Sequence, residues 1–106
     1  MILIDDLKSY YDNDMVFATE HASHRFRQRG IRAADIRNVV FYGEIIEQYP
    51  DDYPFPSCLI LGKGIDGRFI HTVMSDEGSS SRIITAYYPD PDQWSDDFRI
   101  RKVDNE

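Results

Sequence analysis

Residues 19–31 read TEHASHRFRQRGI, and the predicted fold is organised around them. Thr19 is a favourable N-cap, because its hydroxyl can accept a hydrogen bond from a free amide of the first helical turn. Gly30 is a favourable stop, because glycine adopts the left-handed conformation without a Cβ clash. Ala22 and Phe26 lie four residues apart and predict a buried stripe. The stretch therefore predicts a helix of about three turns.

A polar stripe runs beside the apolar one on the same helix. His21, Arg25, Arg29 and Arg32 are spaced at four, four and three residues, which places them along one edge. A histidine beside several arginines is a composition typical of an anion or phosphate site. The alternative is a solvated basic face whose arginines pair with carboxylates elsewhere, for example Arg25 with Glu44 or Glu47.

The charge of the chain is unevenly distributed. The net charge is −7, yet residues 21–43 hold five arginines against one aspartate, a local excess of +4. Acidic residues flank this patch on both sides. A net negative charge discourages non-specific nucleic-acid binding. The patch is therefore predicted either to face a specific nucleic acid or to neutralise its own acidic surroundings.

Length and composition indicate one cytoplasmic domain. A chain of 106 residues fits a single domain over residues 1–106. The single cysteine, Cys58, excludes an internal disulfide and suits a reducing compartment. It lies in an apolar run, so we interpret it as a core residue. The N-terminus lacks the features of a signal peptide, and no segment is long enough and apolar enough to span a bilayer.

Helical patterns dominate the first part of the chain. Residues 3–11 predict a short amphipathic helix, and residues 15–18 predict either a brief strand or an extended lead-in to the central helix. Residues 33–42 predict a further helix that ends at Gly43.

From Glu44 onward the period becomes that of β-strands. Strands are predicted at residues 44–49, 57–63, 68–75 and 82–88. A two-residue type I′ turn at Asp66-Gly67 would place Gly62 opposite His71. Asp90 and Pro91 then predict a short C-terminal helix that carries Trp94 and Phe98, before residues 104–106, which are expected to fray.

The predicted fold class is therefore α+β. Two to three N-terminal helices precede a four-stranded antiparallel meander sheet, with the helices on one face and a short helix at the C-terminus.

Several pieces of sequence together resemble a family of small bacterial proteins catalogued as a domain of unknown function. These pieces are HAxxR at residues 21–25, RGI at 29–31, DI at 35–36, GEIIE at 43–47 and ITAY at 84–87. The resemblance covers roughly residues 17–90. Members are often encoded beside zinc-ribbon antitoxins of the MqsA type, and the order of elements is similar to that of barnase and RelE-like ribonucleases.

The resemblance implies a ribonuclease toxin of a type II toxin–antitoxin pair, with RNA as substrate and a zinc-ribbon antitoxin as partner. The acidic composition departs from the usual basic character of RelE-like toxins. The strand-borne lysines of some RelE-like sites are also absent, since the only lysines are Lys8, Lys63 and Lys102.

RNA cleavage without a metal requires a base, an acid and cations beside the phosphorane. His21 and His71 are the candidates for proton transfer, because histidine titrates near neutral pH. Tyr87 is a candidate to stack a base or donate a proton. The candidate phosphate and RNA ligands are Arg25, Arg29, Arg82 and Thr85. Each also has a structural interpretation: His71 as a core histidine, Tyr87 as core or rim, and the arginines as ion-pair partners.

Two other classes of function compete with this one. His21, His24 and His71 could hold a metal, but a lone HxxH pattern is a weak signal, so no metal or other cofactor is predicted. A non-enzymatic protein-binding module is the serious alternative. Its support is the acidic surface and the aromatic loop with Tyr49, Tyr53 and Phe55, which could present rigid anchors to a partner protein.

Overall fold

The computed structural model describes residues 1–103, so the expected fraying of residues 104–106 lies outside the described residues. The elements are, in chain order, α1 (Ile4–Asp12), β1 (Val16–Ala18), α2 (Glu20–Gln28), α3 (Ala33–Tyr42), β2 (Glu44–Tyr49), β3 (Ser57–Lys63), β4 (Phe69–Ser75) and β5 (Ser81–Tyr87). No helix within residues 1–103 combines the length and the apolar character needed to cross a membrane.

The central helix α2 forms as its caps predict. The Thr19 hydroxyl accepts a hydrogen bond of 3.1 Å from the amide of Ala22. Gly30 follows the helix with a φ of +82°, the left-handed conformation that ends it. Ala22 and Phe26 are buried. The exposed edge of α2 therefore carries the polar stripe.

The sheet differs from the predicted four-stranded antiparallel meander. It has five strands in the order β1-β5-β4-β3-β2, and β1 pairs in parallel with β5 through Val16–Ala18 and Ser81–Ile83. The α+β class is correct, but the sheet is mixed. The partner of β1 is distant in sequence, and a run of three residues carries no information about the strand beside which it will lie.

The β3–β4 hairpin also differs from the prediction. Leu61 lies opposite His71, and Gly62 lies opposite Ile70, a shift of one residue. Of the Asp66-Gly67 pair only Gly67 has a positive φ, of +89°, whereas a type I′ turn needs two such residues. The amide of Gly64 donates to the Arg68 carbonyl at 2.9 Å, which closes a three-residue loop. A shift of one residue exchanges the faces on which side chains lie.

The two faces of the sheet have different covers. The inner face packs under the helices, where one apolar core joins Phe26, Ile36 and Val39 of the helices to Ile60 and Ile70 of the sheet. The outer face carries the row Leu61, His71 and Tyr87, which neighbour one another across β3, β4 and β5. We call residues 89–103 the C-terminal strap, because they cross this outer face.

The predicted C-terminal helix does not form in the described part of the strap. The amides of Gln93 and Trp94 both donate to the carbonyl of Asp90, which makes a single turn. The Ser95 hydroxyl then donates to Asp97 and accepts from the amide of Ile100. Such local side-chain bonds compete with the helical pattern. Trp94 instead forms an antiparallel bridge with Arg101.

Candidate functional site

The exposed edge of α2 and the turn after it form a cationic surface. We define the cationic α2 surface by five exposed side chains, those of His21, His24, Arg25, Arg27 and Arg32. Two shallow grooves cross it. One is lined by Ala18, Glu20, His21, Ser23, His24 and Arg27, and the other by Arg27, Gly30, Ile31 and Arg32. Arg27 therefore links the two grooves into one surface.

The arginines of this surface form no ion pair with any carboxylate in residues 1–103. The ion pairs there use Lys8, Arg68, Arg82, Arg99 and Arg101 as cations. The alternative pairing of Arg25 with Glu44 or Glu47 is wrong, because Glu44 pairs with Arg99 and Glu47 with Arg101. The cationic α2 surface is therefore open to an external anion.

Arg29 connects the C-terminal end of α2 to the sheet. Its Nη1 donates to the carbonyl of Ala86 at 2.8 Å and to the Thr85 hydroxyl at 3.3 Å. A guanidinium has five N–H donors, so these contacts hold Arg29 in place and leave other donors unused. The structure thus brings together two of the predicted phosphate ligands, Arg29 and Thr85.

His71 and Tyr87 form a second pair on the outer face. His71 is fully buried. Its Nε2 lies 2.9 Å from the Phe98 carbonyl, and its Nδ1 lies 3.3 Å from the Tyr87 hydroxyl. A carbonyl can only accept, so Nε2–H donates to Phe98. In the neutral ring Nδ1 then accepts from the Tyr87 hydroxyl.

Burial perturbs both members of this pair. It lowers the pKa of His71, although the Phe98 carbonyl and the charge of Glu47 act in the opposite direction. Burial also raises the pKa of Tyr87, so the phenol remains protonated and can donate to His71. The pair has the chemistry of a base and a proton donor, but Trp94 covers it, with its ring centroid 4.4 Å from that of His71.

A network of charged and phenolic groups lies at the rim of the covered pair. The Arg101 Nε lies 3.1 Å from Glu47, which also accepts from the Tyr49 hydroxyl. Partial burial works against the charged form of Glu47, but the hydrogen bonds from Arg101 and Tyr49 outweigh it and lower the pKa of Glu47. Glu47 is therefore a carboxylate that holds the strap rather than a proton donor near neutral pH.

Arg82 lies in a different groove at the other end of β5. It pairs with Glu77 at 3.2 Å. The groove is lined by Asp52, Tyr53, Pro54, Phe55, Ser75, Glu77, Arg82 and Ile84. Tyr53 is 94% exposed there, and Phe55 is 40% exposed. We call this the aromatic groove.

The predicted site residues therefore fall into separate groups. His21 and Arg25 lie on the cationic α2 surface, Arg29 bonds to Thr85 at the sheet, His71 bonds to Tyr87 beneath the strap, and Arg82 lines the aromatic groove. In residues 1–103 no three His, Cys, Asp or Glu side chains gather in a way that could hold a metal ion.

The sequence reasoning missed the residues that cover His71. The sequence pattern predicts Trp94 and Phe98 in a short C-terminal helix, and it indicates no role for Arg101. The spacing of Trp94 and Phe98 marked them as apolar contacts of the tail. Only the path of residues 89–103 shows that their target is the outer face of the sheet.

Comparison with known proteins identifies one family. The family model described as a domain of unknown function (DUF4258) matches residues 18–88. This span begins at the last residue of β1 and ends just after β5. It therefore contains α2, α3 and the strands β2 to β5, and it stops where the strap begins. The comparisons find no match among curated proteins and none among solved structures.

Proposed function

The chain belongs to the DUF4258 family, and on that premise we propose that it is a metal-independent ribonuclease, the toxin of a bacterial type II toxin–antitoxin pair. One observation carries the proposal. The chain has a net charge of −7, yet the arginines of the cationic α2 surface have no carboxylate partner within residues 1–103. Cations left unpaired in an acidic protein are suited to an external polyanion.

The proposed reaction is cleavage by the neighbouring 2′-hydroxyl of RNA. Its oxygen attacks phosphorus, the bond to the 5′-oxygen breaks, and a 2′,3′-cyclic phosphate and a 5′-hydroxyl result. A base takes the proton of the 2′-hydroxyl, and an acid gives a proton to the leaving oxygen. His21 is the exposed group proposed for proton transfer, and Arg25 and Arg29 take the charge that develops on the phosphorane.

The test is expression of the chain from a tightly controlled promoter, with growth and bulk RNA integrity as readouts. We expect growth arrest and RNA cleavage, and cleavage by the purified protein in buffer that contains EDTA. His21→Ala and Arg25→Ala should each lower the cleavage rate about a hundredfold or more. Lys102→Ala, which also removes one exposed positive charge, is the matched control and should cleave like the wild type.

Two results would contradict the proposed ribonuclease. Folded wild-type protein that neither arrests growth nor cleaves RNA, with EDTA or with added metal, would remove the ribonuclease. Cleavage that His21→Ala and Arg25→Ala leave intact would place the chemistry elsewhere.

The proposed partner is a zinc-ribbon antitoxin that covers the cationic α2 surface. Its support is the resemblance of the sequence to a family whose members are often encoded beside such antitoxins. Co-purification of the chain with the product of a neighbouring gene, lost on reversal of charge at Arg25 and Arg27, would support the pair.

A non-enzymatic protein-binding module is the second candidate, and the aromatic groove favours it. Tyr53 and Phe55 are exposed aromatic side chains beside Ile84, and rigid aromatic anchors are typical of protein interfaces. This candidate expects that Tyr53→Ser with Phe55→Ser abolishes capture of the partner, and that no variant alters RNA. The ribonuclease expects these two substitutions to leave cleavage unchanged.

A further inference from the structure

The strap lies outside the span of the family and covers part of that span. The family match ends at residue 88, and the strap begins at the next residue. Trp94 is almost completely buried, and its ring meets that of His71 edge-on at an angle of 82°. The Phe98 ring packs against Phe69 of β4, with centroids 5.5 Å apart. The strap therefore covers side chains of the sheet that would otherwise face solvent.

Two ion pairs join the strap to β2 at the edge of the covered face. Arg99 pairs with Glu44 of β2, and Arg101 pairs with Glu47 of the same strand. The guanidinium of Arg101 also lies 4.6 Å from the centre of the Trp94 ring. These arginines are exposed, and ion pairs of exposed side chains are weak and screened by salt. The polar part of the fastening is therefore weak, and the packing of Trp94 and Phe98 supplies the rest of the hold on the sheet.

Phe98 has an unusual backbone conformation that both the strap and the sheet support. Phe98 has a φ of +61°, which is unfavourable for a residue with a Cβ. Such a conformation persists only where surrounding contacts impose it. Two hydrogen bonds within the strap form the turn that contains it, from the Phe98 amide to the Ser95 carbonyl at 2.8 Å and from the Ser95 amide to the Ile100 carbonyl at 2.8 Å. Contacts with the sheet add the hydrogen bond from His71 to the Phe98 carbonyl and the packing of the Phe98 ring on Phe69.

The covered face carries groups with the chemistry of a reaction site. Tyr87 and Thr85 lie two residues apart on β5 and therefore on one face, and His71 lies opposite Tyr87. Thr85 in turn holds the guanidinium of Arg29. With the strap displaced, a base, a phenol, a hydroxyl and a cation would follow one another along this face.

We propose that the C-terminal strap is a releasable cover that withholds the His71–Tyr87 pair from RNA, so that its opening increases the rate of cleavage. This inference rests on the proposed ribonuclease function. With the strap open, the His71–Tyr87 pair adds a base and a proton donor on the face that also carries Thr85, the partner of Arg29. The closed strap covers a buried histidine and a half-buried phenol with a segment that follows the family span.

The test uses the full chain and variants of the strap. Arg101→Ala removes the contacts with Glu47, Tyr49 and Trp94, and Lys102→Ala is its matched control, since Lys102 is exposed and adjacent. Trp94→Ala is a second opening variant. Amide hydrogen exchange of Ser95 and Lys102, whose amides donate to Ile100 and Gln93, reports opening, and the amides of β3 and β4 report whether the sheet stays folded.

We expect Arg101→Ala and Trp94→Ala to speed exchange of the two strap amides by at least about fivefold, with β3 and β4 unchanged. Cleavage of a single-stranded RNA in EDTA should rise severalfold in both variants. The rise should disappear when His71→Gln is added to Arg101→Ala. Lys102→Ala should match the wild type in both measurements.

Three results would contradict the proposal that the strap is a releasable cover. Strap amides that exchange no faster in either opening variant would make the strap a permanent part of the sheet. Wild-type cleavage that opening does not increase would refute the releasable cover alone and leave the ribonuclease standing. Absence of cleavage in every variant, with the strap shown to be open, would refute the ribonuclease and the releasable cover with it.

Discussion

The buried His71 predicts that the fold loses stability as the solution becomes mildly acidic. His71 is neutral in the folded protein, and its burial beneath Trp94 lowers its pKa. The titratable and charged groups around it are Tyr87 on β5, Glu47 and Tyr49 on β2, and Arg101 on the strap. Glu47 favours the protonated form and Arg101 opposes it, but burial is the largest effect. The folded protein therefore resists protonation.

The sign and size of the effect follow from linkage. An unfolded chain binds the proton near the ordinary histidine pKa of about 6.5, before the folded chain does. Stability from neutral His71 is therefore fully present above about pH 6.5 and is lost as the pH falls toward the lowered pKa of the folded state. The slope cannot exceed about 1.4 kcal/mol per pH unit, so the loss between pH 6.5 and 5.5 is at most about 1.4 kcal/mol.

The assay is urea denaturation at pH 7.5, 6.5 and 5.5, for the wild type and His71→Gln. Glutamine keeps a donor for the Phe98 carbonyl and an acceptor for Tyr87 but does not titrate. The free energy of unfolding of the wild type should fall relative to that of His71→Gln below pH 6.5. His24→Gln, which removes an exposed imidazole from α2, is the matched control and should follow the wild type. A difference between wild type and His71→Gln that stays constant over this range would refute the reasoning.

The remaining predictions concern two glycines in different surroundings and the buried thiol of Cys58. A Cβ added at Gly43 would lie 2.2 Å from the Leu61 carbonyl oxygen and 2.4 Å from that of Val39, so Gly43→Ala should destabilise by about 3 kcal/mol or more in urea denaturation. The Cβ of Gly30→Ala would meet open space, so this variant should lose only the ~1–2 kcal/mol that the left-handed φ costs a residue with a side chain. A larger loss of unfolding free energy in Gly30→Ala than in Gly43→Ala would contradict this reasoning. Burial raises the pKa of the Cys58 thiol to about 12, so a thiol reagent at pH 8 should label it only as fast as the chain unfolds; immediate labelling of the native protein would be the opposite result.

Local patterns in the sequence were sufficient for α1, α2 and α3, although they also predicted a C-terminal helix that does not form within the described residues. Thr19 and Gly30 bound α2, and Gly43 ends α3, because capping depends on residues within one turn of the helix end. The strands β2 to β5 also follow from period-two patterns and from the loops between them. The antiparallel order of these four strands also follows, but the partner of β1 does not, since β1 pairs with β5 across most of the chain.

The candidate site was predictable only in part, for the same reason. The stripe of His21 and Arg25 on α2 follows from helical periodicity, and so does its exposure. The contact of Arg29 with Thr85 depends on how α2 packs against β5, which no local pattern encodes. The one-residue error in the β3–β4 hairpin arose because an Asp-Gly pair fits both a two-residue and a three-residue loop, and only pairing along the whole strand decides between them.

The sequence by itself determined the α+β class, the boundaries of the central helices and the cationic stripe on α2, because each depends on residues that are close together in the chain. Tertiary structure alone decided that β1 completes a mixed sheet, that the arginines of α2 have no ion pair with the rest of residues 1–103, and that the strap buries His71 under Trp94. These features join residues far apart in the chain, and their free energy comes from burial and pairing that exist only once the sheet has formed.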